Sequence, residues 1–373
     1  MPEPKPNPWP APLPYAGKNE VRFHNRVFVH FSGCDYFRLA RDPRLAAAAK
    51  KTLAETGLNV SASRLTTGNR EVYLQLEAAL AKFFHAGAAL IVSDGYLAPL
   101  AAAQALAGRF THAFVDERSH NALLDAARML DCPVIKFPHR DAAALKKLLQ
   151  KCGRNARALI LTDGMFSGDG AVAPLRAYLK ILPRPGLILV DDAHGAGVVG
   201  RTGQGSLEHA GVGRERIIQC GTLSKALGAF GGVVLSSVAV REQIMAHSRS
   251  FVGTTPLPPP LAGAALASVK ILSRDTARRK RLFANLSWLR TRLRTAGWEI
   301  AETPGAIVRL PDLSDAEAAR LKKNLLAAGI YPPFVKYGAV ARGTFRFVIS
   351  SEHTRAQLNK LAGVLGHFIS TAR

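Results

Sequence analysis

The stretch Leu187-Ile188-Leu189-Val190-Asp191-Asp192-Ala193-His194-Gly195 decides the fold class. Four large apolar residues in a row read as a strand covered on both faces, and the polar cluster after it marks the carboxyl end. Ligands of open α/β sheets bind at that edge, so Asp191 and His194 stand where a ligand would be. About thirty residues on, a second strand, Ile217 to Cys220, runs into Gly221-Thr222-Leu223-Ser224-Lys225-Ala226-Leu227-Gly228. That puts a lysine among small residues at a second strand end. A carboxylate and a lysine at neighbouring strand ends, with hydroxyls beside the lysine, suit pyridoxal phosphate. The lysine forms the Schiff base, the carboxylate keeps the ring nitrogen protonated so that the ring is an electron sink, and hydroxyls and backbone N–H groups hold the phosphate.

The surroundings agree with an α/β sheet. Short apolar runs at Ala88–Val92, Ala113–Val115, Val134–Phe137, Ala158–Leu161, Leu187–Val190, Ile217–Ile218 and Gly232–Leu235 alternate with helical spacing such as Val72, Leu76, Leu80 and Phe83. This alternation predicts a mainly parallel sheet. A proline-rich break at Gly253–Pro260 then changes the pattern to helices at Leu261–Leu272, Thr276–Ala296, Ser314–Ala328 and Thr354–Ile369 with strand candidates Ala306–Leu310 and Thr344–Ile349. The expected division is a proline-rich arm and segment (1–40), a large cofactor-binding domain (41–255) and a smaller C-terminal α+β domain (256–373). Gly195, Gly197 and Gly200 imitate a dinucleotide fingerprint, but Arg201-Thr202-Gly203-Gln204-Gly205 follows where a helix would be needed.

Composition bounds the rest. Of 373 residues 48 % are hydrophobic, which excludes a disordered or collagen-like chain. No uninterrupted apolar run is long enough for a membrane span. Proline occupies every second position from Pro2 to Pro14, which favours an extended arm over an export signal. Four scattered cysteines form no CxxC pair or zinc-type spacing, so no metal is expected and a reducing cytoplasm fits. The net charge of +23 admits two explanations: an anionic substrate, or a nucleic acid held by a relic fold. Arg278, Arg279, Lys280, Arg281, Arg290, Arg292 and Arg294 cluster on one helix, but no nucleic-acid motif accompanies them.

At VDDAHGAGVVG (190–200) and GTLSKALGAFGG (221–232) the chain resembles the α-oxoamine synthase family of fold-type I pyridoxal-phosphate enzymes, and the match runs from about Cys34 to Ala362. The resemblance implies a large domain with a mainly parallel sheet, a small C-terminal domain and a cytoplasmic homodimer. It implies that Lys225 is the Schiff-base lysine, that Asp191 faces the pyridine nitrogen, and that His194 bonds the phenolic oxygen. Thr222 and the backbone of Gly95 and Tyr96 would meet the phosphate, His120 would stack on the ring, and Ser167 would lie near the cofactor. Thr255, with Thr254 as competitor, would reach the phosphate of the neighbouring subunit. Arg346 would bind the amino-acid carboxylate, a role that suits its planar fork.

The pattern is closest to the biotin-pathway branch, which implies condensation of alanine with a pimeloyl thioester, on coenzyme A or a carrier protein, to an α-amino ketone. Alternatives are a glycine-using or serine-using member, or an aminotransferase. The family's Asn-Tyr-Leu-Gly-Leu is here Asp35-Tyr36-Phe37-Arg38-Leu39, which places an acid, Asp35, at a substrate-binding position. Asp163, Tyr73 and Pro99 stand where glutamate, histidine and asparagine are usual.

Overall fold

The computed structural model describes residues 11–153, 155–336 and 343–371, so most of the proline arm lies outside the described residues. The chain opens with an antiparallel meander, β1 (Tyr15–Gly17), β2 (Glu20–Phe23) and β3 (Arg26–His30). These strands are three to five residues long and half exposed. They lack the unbroken apolar run that makes a buried strand visible in sequence.

Seven strands form the central sheet: β4 (Ala88–Val92), β5 (His112–Asp116), β6 (Val134–Phe137), β7 (Ala158–Asp163), β8 (Leu187–Asp191), β9 (Ile217–Thr222) and β10 (Gly232–Ser236). Each falls on one of the apolar runs. Their order is β4-β10-β9-β8-β7-β5-β6. Strands β5 to β9 pair in parallel, and β10 runs antiparallel to both neighbours. Every residue of β4, β7, β9 and β10 is buried. Leu159 and Leu161 enter one apolar layer with Leu189 and Ile218, while Ala158 and Ile160 enter the other with Ile188 and Val190. That two-residue period covers both faces of the sheet, which is why the runs are apolar throughout.

Residues 193–205 run in turns, with Gly197, Gly200, Gly203 and Gly205 at positive φ, and the next helix begins only at Ser206. No helix opens inside the glycines, as a dinucleotide site requires.

The C-terminal region carries helices Pro259–Leu272, Thr276–Thr295, Asp315–Ala327 and Arg355–Ser370, each within two residues of its expected limits. Ser314 with Glu317, and Thr354 with Gln357, form reciprocal capping boxes that start the last two. Strands β11 (Ile307–Arg309), β12 (Ile330–Tyr331), β13 (Phe334–Val335) and β14 (Thr344–Val348) complete the chain. β14 lies between β11 and β13, whereas β12 joins β3 in parallel. The amino-terminal meander therefore shares a sheet with the C-terminal region.

The basic cluster of the helix Thr276–Thr295 is split: Lys280, Arg281, Arg292 and Arg294 are exposed, whereas Arg278, Arg279 and Arg290 are drawn into the fold. Arg278 donates to Phe37 O at 3.0 Å and pairs with Asp275 and Asp42, and Arg279 donates to Thr202 O at 2.6 Å and Arg201 O at 2.7 Å. Arg294 pairs with Glu302, and Arg290 is buried on backbone carbonyls. Their fork geometry is used to fasten this helix to loops of both halves of the chain. No described helix is long and apolar enough to cross a membrane.

Candidate active site

The parallel register brings the polar strand ends to one edge of the sheet. Asp163 pairs with Asp191 across β7 and β8, and Asp191 with Cys220 across β8 and β9. Lys225 follows β9 in a tight turn closed by Leu223 N–H on Gly231 O at 2.8 Å. Gly95, Tyr96, His120, Ser167, Asp191, His194, Thr222 and Lys225 line one cavity of about 180 Å³, together with Asp94, Asp163, Met165 and Ala193.

Burial sets the electrostatics. It pushes Asp163 well above the ordinary carboxylate value, and the neighbouring Asp191 charge adds to this. Asp191 is raised by burial too, with Lys225 opposing. Burial lowers Lys225, against the pull of the acids. His194 is held well below its ordinary value by burial, then by Lys225 and Arg346, and so is neutral. A buried amine with a depressed pKa is suited to act as a base.

Local bonds orient the lining groups. His120 caps the helix Asn121–Arg128, its Nδ1 accepting from Ala122 N–H at 3.2 Å, and its own N–H donates to Asp163 Oδ1 at 2.9 Å. One residue thus both caps a helix and lines the cavity. Its ring meets Tyr96 edge-on at 5.9 Å. The Tyr96 amide donates to Asp94 Oδ1 at 2.8 Å, which caps the helix Leu97–Ala105. Asp192 faces away from the cavity contacts of Asp191. Its Oδ2 accepts from Ser206 N–H at 2.8 Å and Gln219 Nε2 at 2.7 Å, and burial pushes its pKa up to about 7.

Three expected residues lie outside the cavity lining. Arg346, only 7 % exposed, is on β14, with its Nε donating to Ser167 O and Nη2 3.8 Å from Cys34 Sγ, so it borders the cavity through Ser167. Asp35, expected at a substrate-binding position, also lies outside that lining. Its Oδ1 accepts from Leu39 N–H at 2.9 Å and its Oδ2 from Ala40 N–H at 3.0 Å, so the carboxylate starts the turn Leu39–Arg41. Thr255 is exposed, while the Thr254 hydroxyl is engaged by Ser250 O at 2.5 Å. Sequence reasoning missed Tyr36, which is fully buried with its hydroxyl 2.8 Å from His194 Nδ1. Its place in the Asp35–Leu39 motif was the available signal. Arg38, at the family's glycine position, adopts φ 52° and ψ 39°, the left-handed region, and donates to Asn19 Oδ1 at 2.8 Å.

Comparison with known proteins bears on the same geometry. The family description "Aminotransferase class I and II" matches residues 30–365. The 8-amino-7-oxononanoate synthase of Thioalkalivibrio sulfidiphilus is 36 % identical over 344 residues, 91 % of this chain and 88 % of that protein. That of Methylobacillus flagellatus is 34 % identical over 348 residues, 92 % and 88 %. The solved serine palmitoyltransferase of Sphingomonas wittichii superposes with a TM-score of 0.90 at 28 % identity, over 96 % of this chain and 91 % of that one. This chain belongs to the α-oxoamine synthase family. α-Oxoamine synthases are pyridoxal-phosphate enzymes of fold type I within the class I and II aminotransferases, and the fold described above is theirs.

Two features of this α-oxoamine synthase fit the cofactor. Asp163 and Asp191 are buried beside one lysine, and a protonated ring nitrogen would add a second positive charge next to the two carboxyls. Gly95 packs so closely on Thr222 that a Cβ there would lie 2.6 Å from the threonine Cβ and 2.8 Å from its hydroxyl, so any side chain at this position would displace the threonine expected at the phosphate.

Proposed function

We propose that this α-oxoamine synthase condenses L-alanine with a pimeloyl thioester, on a carrier protein or coenzyme A, releasing carbon dioxide and 8-amino-7-oxononanoate. The meeting of Asp191, His120, His194, Thr222 and Lys225 in one cavity bordered by Arg346 supports the pyridoxal-phosphate chemistry, and the likeness to an 8-amino-7-oxononanoate synthase over 91 % of the chain supports the choice of substrates. Bound pyridoxal phosphate supplies the electron sink for the amino-acid α-carbon. Lys225 Nζ takes the α-proton, a task for which burial has already lowered its affinity for a proton. Asp191 would hold the proton on the ring nitrogen. The Tyr36 hydroxyl lies 2.8 Å from Nδ1 of a neutral His194, and with the hydroxyl as donor the imidazole proton is on Nε2, from which it would donate to the phenolic oxygen. His120 would pack on the ring, Gly95, Tyr96 and Thr222 would hold the phosphate, and Ser167 would line the substrate side. Arg346 binds the amino-acid carboxylate. The buried walls keep water from the thioester.

In this reading the cofactor sits in residues 41–255 and the carboxylate-binding arginine in 256–373, and the protein works in the cytoplasm as a homodimer. Thr255, exposed and beside the engaged Thr254, is the residue offered to a partner's phosphate. A fully active monomer in sedimentation would contradict that assignment. A second reading, condensation of serine with a long-chain thioester, draws on the likeness to the Sphingomonas wittichii enzyme. The deciding experiment is a panel of pimeloyl and palmitoyl thioesters on coenzyme A and carrier protein, each with alanine, glycine and serine, following carbon dioxide release. Alanine with a pimeloyl donor is expected to be fastest, and serine with palmitoyl as the best pair would replace the first reading by the second.

A further inference from the structure

The loop Met165–Gly170 brings Met165 and Ser167 to the cavity, yet what fixes this loop lies behind it. Thr303 Oγ1 donates to Asp169 O at 2.8 Å, and Gly305 N–H donates to Gly170 O at 2.9 Å. The two backbones touch. A Cβ on Gly305 would lie 2.7 Å from Gly170 Cα and 2.4 Å from Met165 Cε, and Gly170 itself needs φ +79°. The strap Thr303–Ile307 is in turn gripped by one side chain. Arg290, 4 % exposed in the helix Thr276–Thr295, donates from Nη1 to Thr303 O at 2.6 Å. Its Nη2 donates to Thr303 Oγ1 at 2.7 Å, Gly305 O at 3.0 Å and Ile307 O at 3.1 Å. Glu302 is near enough to favour the charge, but the hydrogen bonds are all to uncharged acceptors: a rigid fork reaches three residues of one strap.

We infer that Arg290 is a positioning residue of the active site, holding the loop Met165–Gly170 through Thr303 and Gly305. The consequence passes to substrate, because Ser167 O accepts from Arg346 Nε. A loop released from the strap moves the acceptor that aims Arg346. This last link rests on the proposed role of Arg346 in binding the amino-acid carboxylate, whereas the hold on the loop does not.

Arg290→Lys keeps the charge and loses the fork; Thr303→Val leaves the carbonyl bonds to Arg290 and removes the two bonds of the hydroxyl, the bridge to Asp169 O and the acceptor of Arg290 Nη2. Amide hydrogen exchange of residues 166–170 in cofactor-free protein reads the loop directly, with thermal melting as the control for general loosening. Exchange there is expected to rise about tenfold in both variants while the central strands stay protected, and the amino-acid KM to rise more than kcat falls. A melting point that drops with loop exchange and KM unchanged would reduce Arg290 to a stabilising residue and overturn the inference. So would faster exchange spread evenly over the molecule. If loop exchange rises but KM does not, and Arg346→Gln also leaves KM unchanged, the positioning of the loop stands and the role given to Arg346 falls.

Discussion

At the scale of single residues, Lys225 and His194 are the groups whose chemistry depends most on burial. Lys225→Ala should fold normally, lose the visible absorption of the bound cofactor and abolish the adduct that borohydride fixes. Labelling of another lysine in the wild-type protein would overturn the central assignment. Tyr36→Phe removes the hydroxyl that meets His194 Nδ1 while keeping the ring packed, so the fold should survive. With Nδ1 no longer engaged, the imidazole can adopt the other tautomer, and kcat should fall about tenfold or more, in the range of a misplaced proton donor. A visible spectrum whose pH dependence is shifted relative to wild type would place the effect at the cofactor; identical spectra and rates would show that Tyr36 only packs. Lys225, Asp191 and His194 were legible because each follows an apolar run that is visible in sequence. Tyr36 was not, since its partner lies 158 residues away.

At the scale of elements, the junction between the amino-terminal meander and the C-terminal helix is held by neutral histidines. His353 Nδ1 accepts from Ser350 N–H at 2.9 Å and its Nε2 meets His30 O at 3.1 Å. Burial lowers His30 to about 4 and His353 to about 3. In the unfolded chain both would bind protons from about pH 6.5 downward, so the unfolded state gains protons the native state does not. Their contribution to stability is therefore complete above about pH 6.5 and is lost as the pH falls toward 4. Asp192, raised to about 7, works in the opposite direction between about pH 4 and 7, because there the native state holds the extra proton. Thermal melting from pH 7 to 4.5 should show a smaller drop for His353→Gln than for wild type, by up to about 1.4 kcal/mol per pH unit for one group. Parallel curves would mean that the junction opens before His353 charges. Neither histidine stands out in the sequence, where His30 is a single polar residue between Val29 and Phe31 and His353 is one of a polar run, Ser350-Ser351-Glu352-His353-Thr354.

At the scale of the whole molecule the charge of +23 remains to be used. Much of the cluster at 278–294 is bound to carbonyls and carboxylates, so the helix that invited a nucleic-acid reading serves mainly to join parts of the fold. The remaining positive field still favours an anionic donor over zwitterionic alanine. Raising ionic strength from about 0.01 to 0.1 M shortens the screening length from about 30 to 10 Å, so kcat/KM for the thioester should fall steeply while the KM for alanine changes little. A salt-independent rate with a carrier-bound donor would remove electrostatic steering from the account.

The sequence by itself determined the seven strands of the sheet, their mainly parallel direction, the helices after Pro258 and the cofactor constellation at strand ends. These are local matters, since an apolar run buried on both faces and the polar residues ending it are contiguous in the chain. Tertiary structure alone decided that β3 pairs with β12, that Tyr36 reaches His194 and that Arg290 grips the Thr303–Ile307 strap. Each of these depends on where a hydrogen-bonding group finds its partner once water is excluded. A buried arginine or tyrosine has the same composition and periodicity as an exposed one, and only the packing around it says which carbonyl or ring it serves.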